Sequence, residues 1–130
     1  MTVRPQDYRY NESHEWAHMD GDVVAIGITD YAAQQLGDLT YLELPAVGDG
    51  FAAGETFGVI ESVKTASDLI APVGGEVVEV HEEVAAKFSL ISDTPFTDGW
   101  LIRLRPSDPA EYDAMMDAGA YEKLLESEQH

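Results

Sequence analysis

The segment that sets the predicted fold class is residues 58–75, which read GVIESVKTASDLIAPVGG. Two runs rich in β-branched and apolar residues flank a short polar turn, and Lys64 stands at the centre of that turn. Pro72 and the glycines after it are turn residues that end the second run. We therefore predict a β-hairpin that presents Lys64 at its tip. The other lysines of the chain, Lys87 and Lys123, come later.

Further strand signals lie on both sides of this hairpin. Asp20-Gly21 predicts a hairpin turn, because glycine permits the positive φ that such turns need. Thr29 or Asp30 is suited to cap a short helix over 31–36, and Gly37 is suited to end it. The predicted extended runs are 8–19, 22–28, 39–44, 56–63, 67–71, 76–81 and 100–104. Their imperfect alternation favours a small two-layer sandwich with parts of both faces covered.

The remaining segments predict turns, irregular structure and a helical tail. Residues 47–54 have turn chemistry, and residues 82–99 show no regular pattern. Asp108 is a typical N-cap, Pro109 suits the first helical position, and Glu111 is placed to reach back to the cap. We expect Gly119 to break this helix and residues 121–125 to form a last turn or two. The chain thus reads as one domain, with a core over about 8–105 and a tail over about 108–126.

Composition excludes several classes of function. The 130 residues include no cysteine, so disulfides, thiol nucleophiles and thiolate metal sites are absent. The formal net charge is −18, with 7 basic against 25 acidic residues. Such a surface repels nucleic acids and anionic membranes, although it suits docking to basic partners. The N-terminal residues lack the pattern of a signal or transit peptide. We expect a monomer in the bacterial cytoplasm, and a processed mitochondrial protein would have the same features.

The motif His14-Glu15-Trp16-Ala17-His18 matches the H-E-x-x-H pattern of zinc proteases. That pattern requires a helix, where histidines four positions apart converge on one ion. Here it precedes a hairpin turn, and four residues of a strand span about 13 Å. Two imidazoles so far apart cannot share a zinc ion through bonds of about 2 Å. We therefore predict no metal site and read these residues as part of a strand.

The run Glu61-Ser-Val-Lys64-Thr-Ala-Ser-Asp68 resembles the lipoylation site of the glycine cleavage system H-protein family, and other blocks resemble that family in the same order. The chain departs from the family pattern at Ser92, where asparagine is usual, and at Phe96, where tyrosine is common. It also has Gln35 where some members have histidine. The other matching blocks are Ser13-His-Glu-Trp16, Gly27-Ile-Thr-Asp30, Leu36-Gly37-Asp38, Gly54-Glu55-Thr-Phe57-Gly58, Ala71-Pro72-Val-Gly-Gly75 and Asp93-Thr-Pro95-Phe-Thr-Asp-Gly99-Trp100.

The resemblance implies a fold and a carrier function. The fold would be mainly β, a barrel-sandwich hybrid of two small antiparallel sheets like those of lipoyl and biotinyl domains. A lipoyl group on Lys64 would accept an aminomethyl group from a pyridoxal-phosphate glycine decarboxylase and present it to a tetrahydrofolate-dependent aminomethyltransferase. A dihydrolipoyl dehydrogenase using FAD and NAD would reoxidise the dithiol. The carrier itself would not be an enzyme, and a lipoate ligase or an octanoyl or lipoyl transferase would modify it.

The resemblance also implies roles for four residues other than Lys64. Glu61 and Asp68 flank the lysine and would take part in recognition of the hairpin. Ser13 and Glu15, together with Asp68, match positions near which the loaded arm folds back and is sheltered. Three alternatives stay open: a lipoyl or biotinyl domain of a larger complex, a relay of lipoyl groups to other proteins, and an interaction module that is never modified. The Val63-Lys64-Thr65 tip differs from the Met-Lys-Met of biotin carriers and the Asp-Lys-Ala of 2-oxo acid dehydrogenases.

Overall fold

A computed structural model describes residues 4–128 of the chain, which form nine strands and five helices. The strands are β1 (Arg9–Tyr10), β2 (Glu15–Asp20), β3 (Val23–Ile28), β4 (Leu39–Glu43), β5 (Gly50–Phe51), β6 (Thr56–Ser62), β7 (Ala66–Ile70), β8 (Gly75–Val80) and β9 (Ile102–Pro106). The helices are α1 (Asp30–Leu36), α2 (Glu83–Ala86), α3 (Ser89–Asp93), α4 (Pro109–Asp113) and α5 (Ala118–Glu128).

The strands form two antiparallel sheets. One sheet has the order β1-β2-β3-β9-β8-β5, and the other has the order β4-β6-β7. The largest buried cluster draws side chains from both sheets, among them Ile26 and Leu104 from the first and Ile60 and Leu69 from the second. The predicted mainly β class with two antiparallel sheets is confirmed, although the first sheet is larger than expected.

Local signals near the N-terminus are confirmed in detail. The hairpin β2–β3 turns at Gly21, whose φ is +66°. Thr29 is the N-cap of α1, and its hydroxyl accepts a hydrogen bond from the Ala32 amide at 3.2 Å. Gly37 ends the helix at φ +76°, a conformation that side-chain-bearing residues rarely adopt. The prediction of one extended run over 8–19 is wrong, because a tight turn over residues 11–14 separates β1 from β2.

Three other local predictions are wrong. Residues 82–99 contain α2 and α3, which begin without a side-chain cap and bury Val84 and Ile91. Burial therefore stabilises these short helices, and the local sequence gives no start signal. Residues 47–54 include the short strand β5, which pairs with β8. At α4, Asp108 is the N-cap as predicted, but Glu111 accepts a hydrogen bond from the Gly74 amide at 2.9 Å and does not reach back to the cap.

The C-terminal helix α5 runs straight through Gly119, so the predicted break at this residue is wrong. The interruption lies earlier, where Met116 pairs with Tyr10 and the Asp117 carboxylate accepts a hydrogen bond from the Ala120 amide at 2.8 Å. α5 packs on a second buried cluster, formed with the first two strands and Phe96. None of the helices within residues 4–128 has the length and apolar character needed to cross a membrane.

Candidate functional site

Lys64 lies at the tip of the β6–β7 hairpin, as predicted, and its side chain is exposed. The turn is held by a backbone hydrogen bond from the Ser62 amide to the Thr65 carbonyl at 2.8 Å. The Ser62 hydroxyl oxygen accepts hydrogen bonds from the Lys64 amide at 3.2 Å and the Thr65 amide at 3.3 Å. The amide of Val63 also donates to the Asp38 carbonyl at 3.0 Å. The lysine is therefore presented by a well-ordered turn.

The strands behind the turn hold the hairpin against the rest of the fold. β6 is the central strand of its sheet and pairs with both β4 and β7. At Gly58 of β6 the neighbouring strand is so close that a Cβ would collide with the Glu43 carbonyl oxygen. The Lys64 side chain extends over Gly37, where a Cβ would lie 3.2 Å from the lysine Cε. Glycine at both positions thus allows close packing around the hairpin.

A cavity of about 310 Å³ opens beside the hairpin. Its lining includes Thr65 and Ala66, which follow the lysine directly. Residues from the 11–14 turn, β2, α1 and β7 meet around it. Its apolar lining includes Ile28, Leu36 and Ile60. Its polar lining consists of Ser13, His14, Glu15, Gln35, Thr65, Ser67 and Asp68.

Of the four predicted site residues other than Lys64, three therefore meet in one cavity and one does not. Ser13, Glu15 and Asp68 all line the cavity. Asp68 lies on β7 and is therefore distant in sequence from Ser13 and Glu15. Glu61 lies on β6 opposite Tyr41 of β4 and is not part of the lining. Its predicted part in recognition of the hairpin is separate from the cavity.

Glu15 is the most unusual of these groups, because it is a buried carboxylate with 2% exposure. Burial raises its pKa from 4.5 to about 7, since the charged form loses its hydration. Hydrogen bonds from the Ser13 hydroxyl and the Ile70 amide, the latter at 3.2 Å, act in the opposite direction. Near neutral pH the side chain is thus divided between its neutral and charged forms.

Sequence reasoning missed the surroundings of His14. Its φ is +74°, the one positive value for a non-glycine residue between residues 4 and 128. Its Nδ1 lies 2.8 Å from the Tyr121 hydroxyl, and its Nε2 lies 3.2 Å from a carboxylate oxygen of Glu128. Burial lowers the pKa of His14, which favours the neutral ring. The sequence pattern singled out His14 only as a possible zinc ligand. No residue near it in sequence indicated that it would contact α5.

The H-E-x-x-H pattern is not helical, as predicted, but only its last four residues lie on a strand. His14 directly precedes β2 and His18 is within it. His18 stacks on Tyr8 at 4.3 Å, while His14 contacts α5. In the described part of the chain, no group of three or more histidine, aspartate and glutamate side chains is arranged to hold a metal ion.

Comparison with known proteins gives the family. The profile of the glycine cleavage H-protein matches residues 8–128. The chain belongs to this family. The H protein of Carboxydothermus hydrogenoformans is 51% identical over 128 residues, and the alignment covers 98% of both chains. The H protein of one Thermus thermophilus strain is 49% identical over 124 residues, covering 95% of this chain and 97% of that protein.

A solved structure of the family has the same fold. The H protein of Mycobacterium marinum superimposes with a TM-score of 0.86 at 37% identity, covering 94% of this chain and 98% of the other. Membership in the H-protein family gives this chain the carrier role of the glycine cleavage system.

Proposed function

We propose that the chain carries a lipoyl group covalently bound to the Nζ atom of Lys64 and works as a single carrier domain. The observation that supports this most directly is the ordered turn that presents an exposed Lys64 beside a cavity. A rigid turn lowers the entropy lost when a modifying enzyme docks. Lipoate supplies a ring disulfide whose sulfur can accept a one-carbon amine. The chain has no cysteine, so its own side chains cannot supply such a disulfide.

The cavity has the size and chemistry to shelter the end of such an arm. Lysine with its lipoyl group spans on the order of 14 Å by ordinary bond dimensions. The cavity begins at the residues next to Lys64 and therefore lies within that reach. A volume of about 310 Å³ is within the usual range for small-molecule sites. Its apolar residues suit the hydrocarbon chain and the disulfide ring of the arm, and Glu15 and Asp68 suit a positively charged amine, with Ser13 fixing the Glu15 carboxylate.

The partners follow from the chemistry of the cycle. A pyridoxal-phosphate glycine decarboxylase would load the carrier, a tetrahydrofolate-dependent aminomethyltransferase would unload it, and a dihydrolipoyl dehydrogenase with FAD and NAD would reoxidise it. A lipoate ligase or an octanoyl or lipoyl transferase would attach the group, with Glu61 and Asp68 as contacts on the hairpin. The tether raises the local concentration of the group to the millimolar range while the carrier is docked. The net charge of −18 suits weak docking to basic rims.

Intact-mass measurement of protein purified from its native host tests the attachment. Lipoylation adds about 188 Da and biotinylation about 226 Da, by simple covalent addition at lysine. We expect the lipoyl increment in the wild type and in Lys87→Arg, since Lys87 is an exposed lysine outside the hairpin. Lys64→Arg should lack it. An adduct that persists in Lys64→Arg would refute the site. A wild type that has no adduct and accepts no lipoyl group from a ligase would favour an unmodified interaction module.

A further inference from the structure

We propose that Tyr121 of α5 is a positioning residue whose hydroxyl holds together two segments that both contribute walls of the cavity. One segment is the 11–14 turn with the first residue of β2, which supplies Ser13 and Glu15. The other is the start of α1, the helix that supplies Gln35 and Leu36. The importance of Tyr121 for a carried arm rests on the proposed function, but its effect on the cavity does not.

The Tyr121 hydroxyl lies between these segments. It is 2.8 Å from Nδ1 of His14 and 2.7 Å from the hydroxyl oxygen of Thr29. Tyr121 is fully buried, so water does not compete for these contacts. Thr29 is also the N-cap of α1 and accepts from the Ala32 amide, so a hydroxyl held at Thr29 also fixes the first turn of that helix.

The hydrogen bonds have one consistent direction when the imidazole is neutral. The Thr29 hydroxyl already accepts from the Ala32 amide and donates to the Tyr121 oxygen. The Tyr121 hydroxyl then donates to His14 Nδ1, and the Nε2–H of the same ring donates to the Glu128 carboxylate. Burial raises the pKa of Tyr121, which keeps its proton available as a donor. These hydrogen bonds therefore connect the N-cap of α1 through Tyr121 of α5 to His14 in the 11–14 turn.

The strained backbone of His14 indicates why such a tie is needed. A left-handed φ of +74° is unfavourable for a side chain of this size and persists only where the surroundings fix it. The backbone of His14 also accepts a hydrogen bond from the Thr29 amide at 3.0 Å. His14 stands between Ser13 and Glu15, so its conformation decides where both polar side chains point. Removal of the tie should let this turn relax and admit water to Glu15.

A matched tyrosine makes the idea testable. Tyr10 stacks on Tyr121 with ring centroids 4.9 Å apart, is equally buried, and donates its own hydroxyl hydrogen bond to the Pro5 carbonyl at 2.7 Å. That bond does not involve the cavity walls. Tyr121→Phe and Tyr10→Phe therefore each remove one buried hydroxyl from the same aromatic stack, and only the first removes the tie between the walls.

The measurement is the titration of the Glu15 carboxyl in unmodified protein, monitored through the NMR signal of its side-chain carbon. We expect Tyr121→Phe to make Glu15 about tenfold more acidic, a midpoint about one pH unit lower, because hydration removes the cause of its raised pKa. Tyr10→Phe should leave the midpoint near the wild-type value. An unchanged midpoint in folded Tyr121→Phe, or an equal decrease in both variants, would overturn the proposal.

Thr29 gives an independent pair of variants if Tyr121→Phe does not fold. Thr29→Ser retains the hydroxyl and should titrate like the wild type, whereas Thr29→Val should lower the midpoint. In lipoylated protein, the same loosening should speed reduction of the ring disulfide by a water-soluble phosphine in Tyr121→Phe and not in Tyr10→Phe. A wild type without an adduct would contradict the proposed function and leave the carboxyl titration intact as the test of this proposal.

Discussion

The buried carboxylate of Glu15 predicts that Glu15→Gln stabilises the protein at neutral and higher pH. Because burial raises its pKa, the folded state binds more protons than the unfolded state between pH 4.5 and about 7. The wild type should therefore lose stability as the pH rises through this window. The interval corresponds to about 3 kcal/mol, at about 1.4 kcal/mol for each pH unit. Glutamine stays neutral and avoids this loss.

The glutamine side chain of Glu15→Gln also loses one favourable hydrogen bond. One carboxylate oxygen accepts from Ser13 and from the Asn11 amide group at 3.3 Å, and the other accepts from the Ile70 amide. Glutamine can place its oxygen at only one of these positions, and the lost hydrogen bond offsets about 1 kcal/mol. The net expectation for Glu15→Gln is a free energy of unfolding about 2 kcal/mol above that of the wild type at pH 8.

Urea denaturation of both proteins at a series of pH values measures the effect. Near pH 4.5 the variant should be about 1 kcal/mol less stable than the wild type, because of the lost hydrogen bond. The difference should then shift in favour of the variant by up to about 1.4 kcal/mol for each pH unit towards pH 7. Glu12→Gln is the control, because it removes an exposed carboxylate from the same turn, and surface substitutions change stability by less than about 0.5 kcal/mol. A difference that is independent of pH, or one that turns against the variant as pH rises, would refute the reasoning.

Three further predictions concern the site and its support. Ser13→Ala removes a hydrogen bond that lowers the pKa of Glu15, so the Glu15 midpoint should rise when followed by NMR titration. Gly58→Ala should destabilise the fold by about 1–3 kcal/mol in urea, because a Cβ would collide with the Glu43 carbonyl oxygen. Added sodium chloride should raise the thermal midpoint, because it screens the repulsion within a surface of net charge −18.

Each of these has a simple check. A Glu15 midpoint that falls in Ser13→Ala would mean that water replaces the hydroxyl. Gly119→Ala is the counterpart of Gly58→Ala, since its Cβ would meet only Asp117 Oδ1, at 3.6 Å, and alanine favours a helix by up to about 1 kcal/mol. Equal effects of the two glycine substitutions would contradict the packing argument. A midpoint that is insensitive to salt would show that surface repulsion contributes little to stability.

Local signals in the sequence predicted much of this protein because their physical cause lies within a few residues. The hairpin tip at Lys64, the turn at Gly21 and the α1 cap at Thr29 depend on turn and cap chemistry that neighbouring residues decide. Several motifs in a fixed order along the chain also indicated the family. The same local reasoning was wrong at Gly119, because the cap at Asp117 and burial of Tyr121 outweigh one glycine.

Other features depend on contacts between distant parts of the chain, which no local pattern contains. The raised pKa of Glu15 requires burial beneath the hairpin and α1, and the role proposed for Tyr121 requires that the C-terminal helix cross the first two strands. The short helices α2 and α3 form because Val84 and Ile91 enter the core. The sequence thus identified Lys64 and its hairpin, whereas tertiary packing produced the cavity beside it, since desolvation arises only when separated segments meet.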